Sequence, residues 1–243
     1  MRRLPTAVFF DAYGTLISFR QDVAPAEAVH RGLAQAGVAL PFEVVERALA
    51  VEMAFYRERQ AHVRTPEQLA ELRQASAQVL RDGLGGVSAC PLDLPAVLSL
   101  ILDAFKTVVL PDALPAIGRL RGAGVRTGVL SNFSYLLPLL LRELGLSALL
   151  DPVVFSAAAG AEKPLPAIFR AAAGAVDTRP SDCVLLGDDL RADVEGARGA
   201  GMPVIWIARN GGVPPPGVRL ARSLTDAAEA VLCDDWRRFS LGA

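Results

Sequence analysis

Five short apolar runs constrain this chain more than any other feature. They are "TAVFF" (6–10), "RTGVLS" (126–131), "PVVFS" (152–156), "CVLLG" (183–187) and "PVIWIA" (203–208). Runs this short, rich in Val, Ile and Phe and bounded by Gly, Pro or Asp, read as strands buried on both faces. After the second run the gaps carry helical patterns at 134–144, 165–174 and 190–200, and another at 113–123 precedes that run. Strand–helix alternation of this kind predicts an α/β fold: a three-layer, doubly wound parallel sheet with helices on both faces.

Residues 19–107 break the alternation. "APAEAVHRGLAQAG", "PFEVVERALAVEMAFYRERQAH", "TPEQLAELRQASAQVLRDGLG" and "DLPAVLSLILDAF" are amphipathic helical patterns. Prolines stand near their starts, where the missing N–H is harmless. "DGLGGVSACP" (82–91) reads as a loop. The expected organisation is an α/β domain of residues 1–18 plus 108–243, with an all-helical domain of four helices, 19–107, inserted after the first strand. An insertion at a strand's carboxyl end falls where α/β folds bind ligands, and this one reads as a substrate-selecting cap.

The chain is 52% hydrophobic, so membrane insertion has to be excluded. Its longest uncharged run, Thr127 to Leu141, holds Ser131, Asn132 and Pro138 and is too short and polar to span a bilayer. The basic start "MRRLPTAVFF" meets Asp11 with no cleavage site after it, so no signal peptide is read and a cytoplasmic location is expected. A net charge of −1 offers no field for nucleic acid. Cys90, Cys183 and Cys233 are odd in number and widely spaced, as in a reduced chain with buried thiols.

The ends of the strands carry the chemistry. The first run ends on Asp11, followed by Gly14 and Thr15; the second ends on Ser131-Asn132; the third leads to Lys163; the fourth leads to Asp188, Asp189 and Asp193. Each alone has a plain structural reading, since Asp and Ser in such loops commonly cap the next helix. In a parallel sheet, however, all of them meet at one edge. Together they supply a carboxylate nucleophile, hydrogen-bond donors, an ammonium and carboxylates for a hard cation, which are the parts that phosphoryl chemistry needs. Lys163 is one of only two lysines among 25 basic residues. A compact point charge retained in an arginine-rich chain fits such a site.

"DAYGTL", "LSNFS", "EKPLPAIF" and "LLGDDLRADVEGARGAG" resemble, in order, the four motifs of the haloacid dehalogenase-like hydrolase superfamily, and the helical insertion resembles the cap of its first subfamily. The resemblance implies a hydrolase in which Asp11 attacks phosphorus and forms an aspartyl-phosphate. Ser131 and Lys163 would hold phosphoryl oxygens, Thr15 would steady the first loop, and Gly14 and Asn132 would contact substrate. Mg²⁺ would be held by Asp11, Asp188 and the Tyr13 backbone carbonyl, with Asp189 and Asp193 completing or orienting the acidic site. The implied partner is a small-molecule phosphate, with no nucleic acid or membrane partner, for a monomer or homodimer.

Tyr13 stands where phosphatases resembling this chain carry an acid/base aspartate, which implies slow hydrolysis of ordinary esters. Two alternatives follow. "DAYGTL" also resembles the first motif of metal-independent 2-haloacid dehalogenases, and "AFYRERQ" (54–60) would then make Arg57 an anion site. The missing acid also fits a catalytically impaired phosphoryl-binding protein.

Overall fold

The computed structural model describes residues 4–19, 23–60, 62–233 and 236–240. The chain divides into two compact units, Met1–Ser18 with Val109–Ala243, and Phe19–Val108.

The first unit is built on six parallel strands: β1 Ala7–Phe10, β4 Arg126–Ser131, β5 Val153–Phe155, β6 Cys183–Gly187, β7 Val204–Ile207 and β8 Arg219–Ala221. They lie in the order β5-β4-β1-β6-β7-β8. β1 is buried along its whole length, and its side chains alternate between two cores. Val8 and Phe10 pack on one face with Ile117, Leu120, Leu137 and Val231, while Ala7 and Phe9 pack on the other with Ile168, Phe169 and Val194. Burial on both faces explains why the central strands are continuous apolar runs without a polar alternation.

The helices that cover these faces are α6 Ala113–Gly122, α7 Leu137–Glu143, α8 Ser156–Ala159, α9 Pro166–Gly174, α10 Gly196–Gly199 and α11 Leu224–Cys233. The expected helix at 190–200 forms in two parts, a π-helical turn Leu190–Glu195 running into α10. β8 was not anticipated: "RLA" is short and only its last residue is buried.

Strand order and register place the site. After β1 the chain builds β4 and β5 on one side, then returns to build β6 on the other, so β1 is the point where the order reverses. Such a switch point opens a crevice at the carboxyl ends of the strands. Phe10 is level with Val129 on β4 and Leu186 on β6. Asp11, Ser131 and Asp188 therefore leave three neighbouring strands at one edge.

The second unit contains α1 Pro25–Gln35, α2 Phe42–Gln60, α3 Pro66–Gly83, α4 Gly86–Ala89 and α5 Leu94–Ala104. The pattern for the second helix reaches His62; α2 ends at Gln60, and Ala61 lies outside the described residues. α3 starts with a full capping box, Thr65 accepting from the Gln68 N–H while the Gln68 side chain accepts from the Thr65 N–H. α5 is capped by Asp93. Val29, Leu33, Val45, Leu49, Leu80 and Val97 form the centre of its core. The expected loop at 82–91 holds the single turn α4, entered through Gly85 at φ +103°. The two chain crossings, β2 Ile17–Phe19 and β3 Thr107–Val109, pair as a short ribbon.

Cys90 and Cys183 are buried, as expected of structural thiols, but Cys233 at the end of α11 is exposed. Burial pushes the Cys183 thiol up to about 12. No described helix is long and apolar enough to cross a membrane.

Candidate active site

The site is centred on Lys163. Its ammonium donates to Asp11 Oδ1 at 2.6 Å and to Asp193 Oδ1 at 2.5 Å, and its side chain is 2% exposed. Burial alone would lower the lysine pKa; the two carboxylates outweigh that and raise it, so Lys163 remains an ammonium. Its backbone is held just as firmly. Asn132 Oδ1 accepts from the Lys163 N–H at 2.7 Å and Asn132 Nδ2 donates to the Lys163 carbonyl at 2.9 Å. Both ends of the Asn132 amide, expected to contact substrate, thus grip the Lys163 peptide.

Asp193 comes from the π-helical turn, where the Asp193 and Val194 N–H groups both donate to the Asp189 carbonyl. This wide turn swings the Asp193 carboxylate inward, where Oδ2 accepts from the Asp189 N–H at 3.1 Å. Asp193 is fully buried, and burial followed by the nearby Asp11 charge raises its pKa against the pull of Lys163. Asp188 is the exposed member of the group, yet protein surrounds enough of its carboxyl group that desolvation, then Asp11, raise its pKa. Thr15, itself fully buried, donates its hydroxyl to Asp188 Oδ1 at 3.1 Å.

Two glycines leave room for these carboxylates. A Cβ on Gly14, whose φ is +80°, would lie 2.1 Å from Asp188 Oδ2, and one on Gly187 would lie 2.3 Å from Asp193 Oδ2. Side chains cannot replace these hydrogens without displacing the acids.

Asp11, Asp188 and Asp193 each offer an oxygen within 4.8 Å of the others. Three carboxylates and one ammonium leave a formal deficit of two positive charges. All three donors are hard oxygens, so a divalent cation such as Mg²⁺ fits both the charge and the donor chemistry. Asp189 is expected to complete or orient this acidic site. Its Oδ1 accepts from the N–H groups of Arg191 at 2.8 Å and Ala192 at 2.6 Å, which caps the turn that delivers Asp193.

Ser131, at the end of β4, is 3% exposed, and its hydroxyl makes no hydrogen bond to the described residues. The Tyr13 ring stacks on Phe133, with centroids 5.7 Å apart and planes 2° from parallel. Arg57 belongs to the helical unit, at an exposed position of α2.

Three residues of the site region were not anticipated. Trp206 Nε1 donates to the Asp188 carbonyl at 2.9 Å. Arg209 donates to the carbonyls of Thr15 at 3.0 Å and Gly14 at 3.4 Å, and pairs with both oxygens of Asp112. The strand-end logic that picked out the other residues, applied to the fifth apolar run, points to the same place.

Phosphatase MT3486 of Mycobacterium tuberculosis is 40% identical over 103 residues, covering 42% of this chain and 47% of that protein. The chain thus matches less than half the length of that relative. Two solved structures match with the same figures: a HAD phosphatase from Thermococcus onnurineus and a 2-haloacid dehalogenase from Pseudomonas syringae pv. tomato DC3000. Each has a TM-score of 0.59 and 23% identity, and each alignment covers 94% of this chain and 98% of the other. The fold is therefore common to both chemistries and does not choose between them. A family model matches residues 5–201, and the chain belongs to the haloacid dehalogenase-like hydrolases.

Proposed function

We propose that the protein is a Mg²⁺-dependent phosphatase that releases phosphate from a small phosphorylated metabolite through an aspartyl-phosphate on Asp11. The observation that carries this reading is the buried Lys163 ammonium bridging Asp11 and Asp193, with Asp188 alongside. The similarity to a protein named a phosphatase supports it. So does the charge deficit of the site, which would repel a bare haloacid anion but suits a cation carrying a phosphoryl group.

In this reading an Asp11 oxygen forms a bond to phosphorus while the bond to the leaving oxygen breaks, and the electron pair departs with that oxygen. Lys163 fixes the orientation of Asp11 and offsets charge on the phosphoryl oxygens, and the Ser131 hydroxyl donates to one of them. Water then attacks phosphorus, the Asp11–phosphorus bond breaks, and inorganic phosphate leaves as the carboxylate is restored. Asp11, Asp188, Asp193 and the Tyr13 carbonyl would hold Mg²⁺, which supplies charge neutralisation at the transferring group when bound.

Tyr13 narrows the substrate. A phenol of ordinary pKa near ~10 is not a base at neutral pH. Aryl and acyl phosphates, whose leaving groups depart as weakly basic anions, do not need its help. Alkyl esters do, and lose roughly 10²–10⁴-fold in rate without a placed acid/base. The helical unit, inserted after β1, would act as the substrate-selecting cap.

The test is release of p-nitrophenol and acetate from p-nitrophenyl phosphate and acetyl phosphate, with Mg²⁺ or with EDTA, using Asp11→Asn as the blank. Release that needs both the metal and Asp11 is expected. Metal-independent chloride release from 2-chloropropionate would replace this reading with a dehalogenase. Phosphate binding without turnover would replace it with a phosphoryl-binding protein.

A further inference from the structure

The Asp11–Thr15 loop carries the nucleophile at one end and the Asp188-binding hydroxyl at the other, and its Ala12 carbonyl accepts from the Leu16 and Ile17 N–H groups at 2.9 and 3.0 Å. The Asp11 N–H donates to the Leu186 carbonyl and the Gly14 N–H to the Ile17 carbonyl, at 2.9 and 2.8 Å. The carbonyls of Gly14 and Thr15 point away from the sheet ladder, and the Arg209 guanidinium takes both. The same guanidinium pairs with Asp112 Oδ2 at 2.7 Å and Oδ1 at 3.1 Å. Asp112 in turn accepts from the Leu224 N–H at 2.7 Å, at the start of α11. Burial works against the Asp112 charge, but Arg209 and the Leu224 N–H more than offset it and hold its pKa low. Arg209 therefore fastens a catalytic loop to an ion pair anchored on a helix outside the sheet. Three positions earlier, on β7, Trp206 holds the carbonyl of Asp188. Neither side chain is among the carboxylates, the ammonium or the hydroxyl that face the reacting group.

We infer that Arg209 is a positioning residue that sets the separation of Asp11 from Asp188 by gripping the Gly14 and Thr15 carbonyls, with Asp112 as its anchor. The inference rests on the phosphatase reading. A guanidinium suits the task because its planar fork can reach two carbonyls and a carboxylate at once, whereas an ammonium cannot match that geometry. The chemistry demands such a grip because a loop that drifts by about 1 Å separates nucleophile from metal and loses rate on the order of 10²-fold.

The experiment compares wild type with Arg209→Met, Arg209→Lys and Asp112→Asn. Mg²⁺ affinity is read by calorimetry in the absence of substrate, and kcat and KM are read on p-nitrophenyl phosphate. Arg209→Met is expected to weaken Mg²⁺ binding by about 10-fold and to lower kcat by roughly 10–100-fold with KM little changed, as outer-shell substitutions at metal sites do. Arg209→Lys should recover part of both losses. Asp112→Asn should shift both in the same direction by a smaller factor, and its near-isosteric side chain keeps the test open if Arg209→Met folds poorly. Wild-type Mg²⁺ affinity and kcat in all three variants, with only the melting temperature lowered, would overturn the inference and leave Arg209 as a structural brace. Wild-type protein that neither binds Mg²⁺ nor releases phenol would overturn the phosphatase reading, and this inference with it.

Discussion

In the helical unit Glu52 lies buried between α2 and α3 with the Ser76 hydroxyl as its partner, while in the α/β unit Asp11 and Asp193 share one ammonium beside Asp188. Glu52 and Ser76 are 2% and 1% exposed, so both places take carboxylates out of water. They resolve the strain differently. Burial raises the Glu52 pKa, which the Ser76 hydrogen bond only partly opposes. In the α/β site burial and the Asp11 charge likewise raise the Asp188 and Asp193 pKa values, but Lys163 keeps its charge and pulls both the other way. A buried carboxylate without a cation is a packing device, whereas a cluster built around a fixed ammonium retains charge for a ligand.

The largest test of that contrast is Asp11→Asn. Turnover of every phosphate substrate should fall on the order of 10⁵-fold, as on loss of a nucleophile, with circular dichroism unchanged. Lys163→Met comes next. It leaves two buried carboxylates without their cation, which costs about 3–5 kcal/mol. The melting temperature should drop sharply and recover in part when Mg²⁺ is added; a variant as stable as wild type without metal would erase the distinction between the two places. Tyr13→Asp is a gain rather than a loss. Turnover of an alkyl phosphate should rise by about 10²-fold while acetyl phosphate changes only a few-fold, read as kcat/KM on the two substrates. An equal change on both would show that Tyr13 acts through packing on Phe133.

The smallest effect belongs to Glu52. Its folded pKa lies above the ordinary value of 4.5, so the native state holds the proton more tightly than the unfolded state. Stability from this group is fully present below pH 4.5 and is lost as pH rises toward the folded value. Glu52→Gln, neutral at every pH, should raise the melting temperature by about 2 °C near neutral pH and not at all in acid. A benefit that grows in acid would reverse the assignment.

Much of this contrast was readable in the sequence. The α/β strands announced themselves because β1, β4 and β6 are buried on both faces, and strand ends in a parallel sheet must converge; Asp11, Ser131, Lys163, Asp188 and Asp193 followed from that. Asp189 and Asn132 were legible only as polar residues of site loops. A polar residue in a site loop can serve the backbone or a ligand, and only coordinates show that Asp189 caps Arg191 and Ala192 while Asn132 grips Lys163. Arg209 and Asp112 were illegible as a pair because 97 residues separate them and neither sits in a motif. β8 was missed because an edge strand with one buried residue has no apolar signature. In the helical unit, Glu52 looked like any charged residue of an amphipathic helix, since burial of a lone acid leaves no trace in periodicity.

The strand order has a consequence for how the chain is made. β1 emerges first, but its neighbours begin at Arg126 and Cys183, so its partners are synthesised long after it. The helices of Phe19–Val108 pack on sequence neighbours and can close as soon as their residues leave the ribosome. For most of synthesis "AVFF" is therefore an apolar strand with neither edge paired, attached to a helical body that is already folded. Expression at high rate or low chaperone capacity should fail through this four-residue segment before it fails through any part of the catalytic machinery.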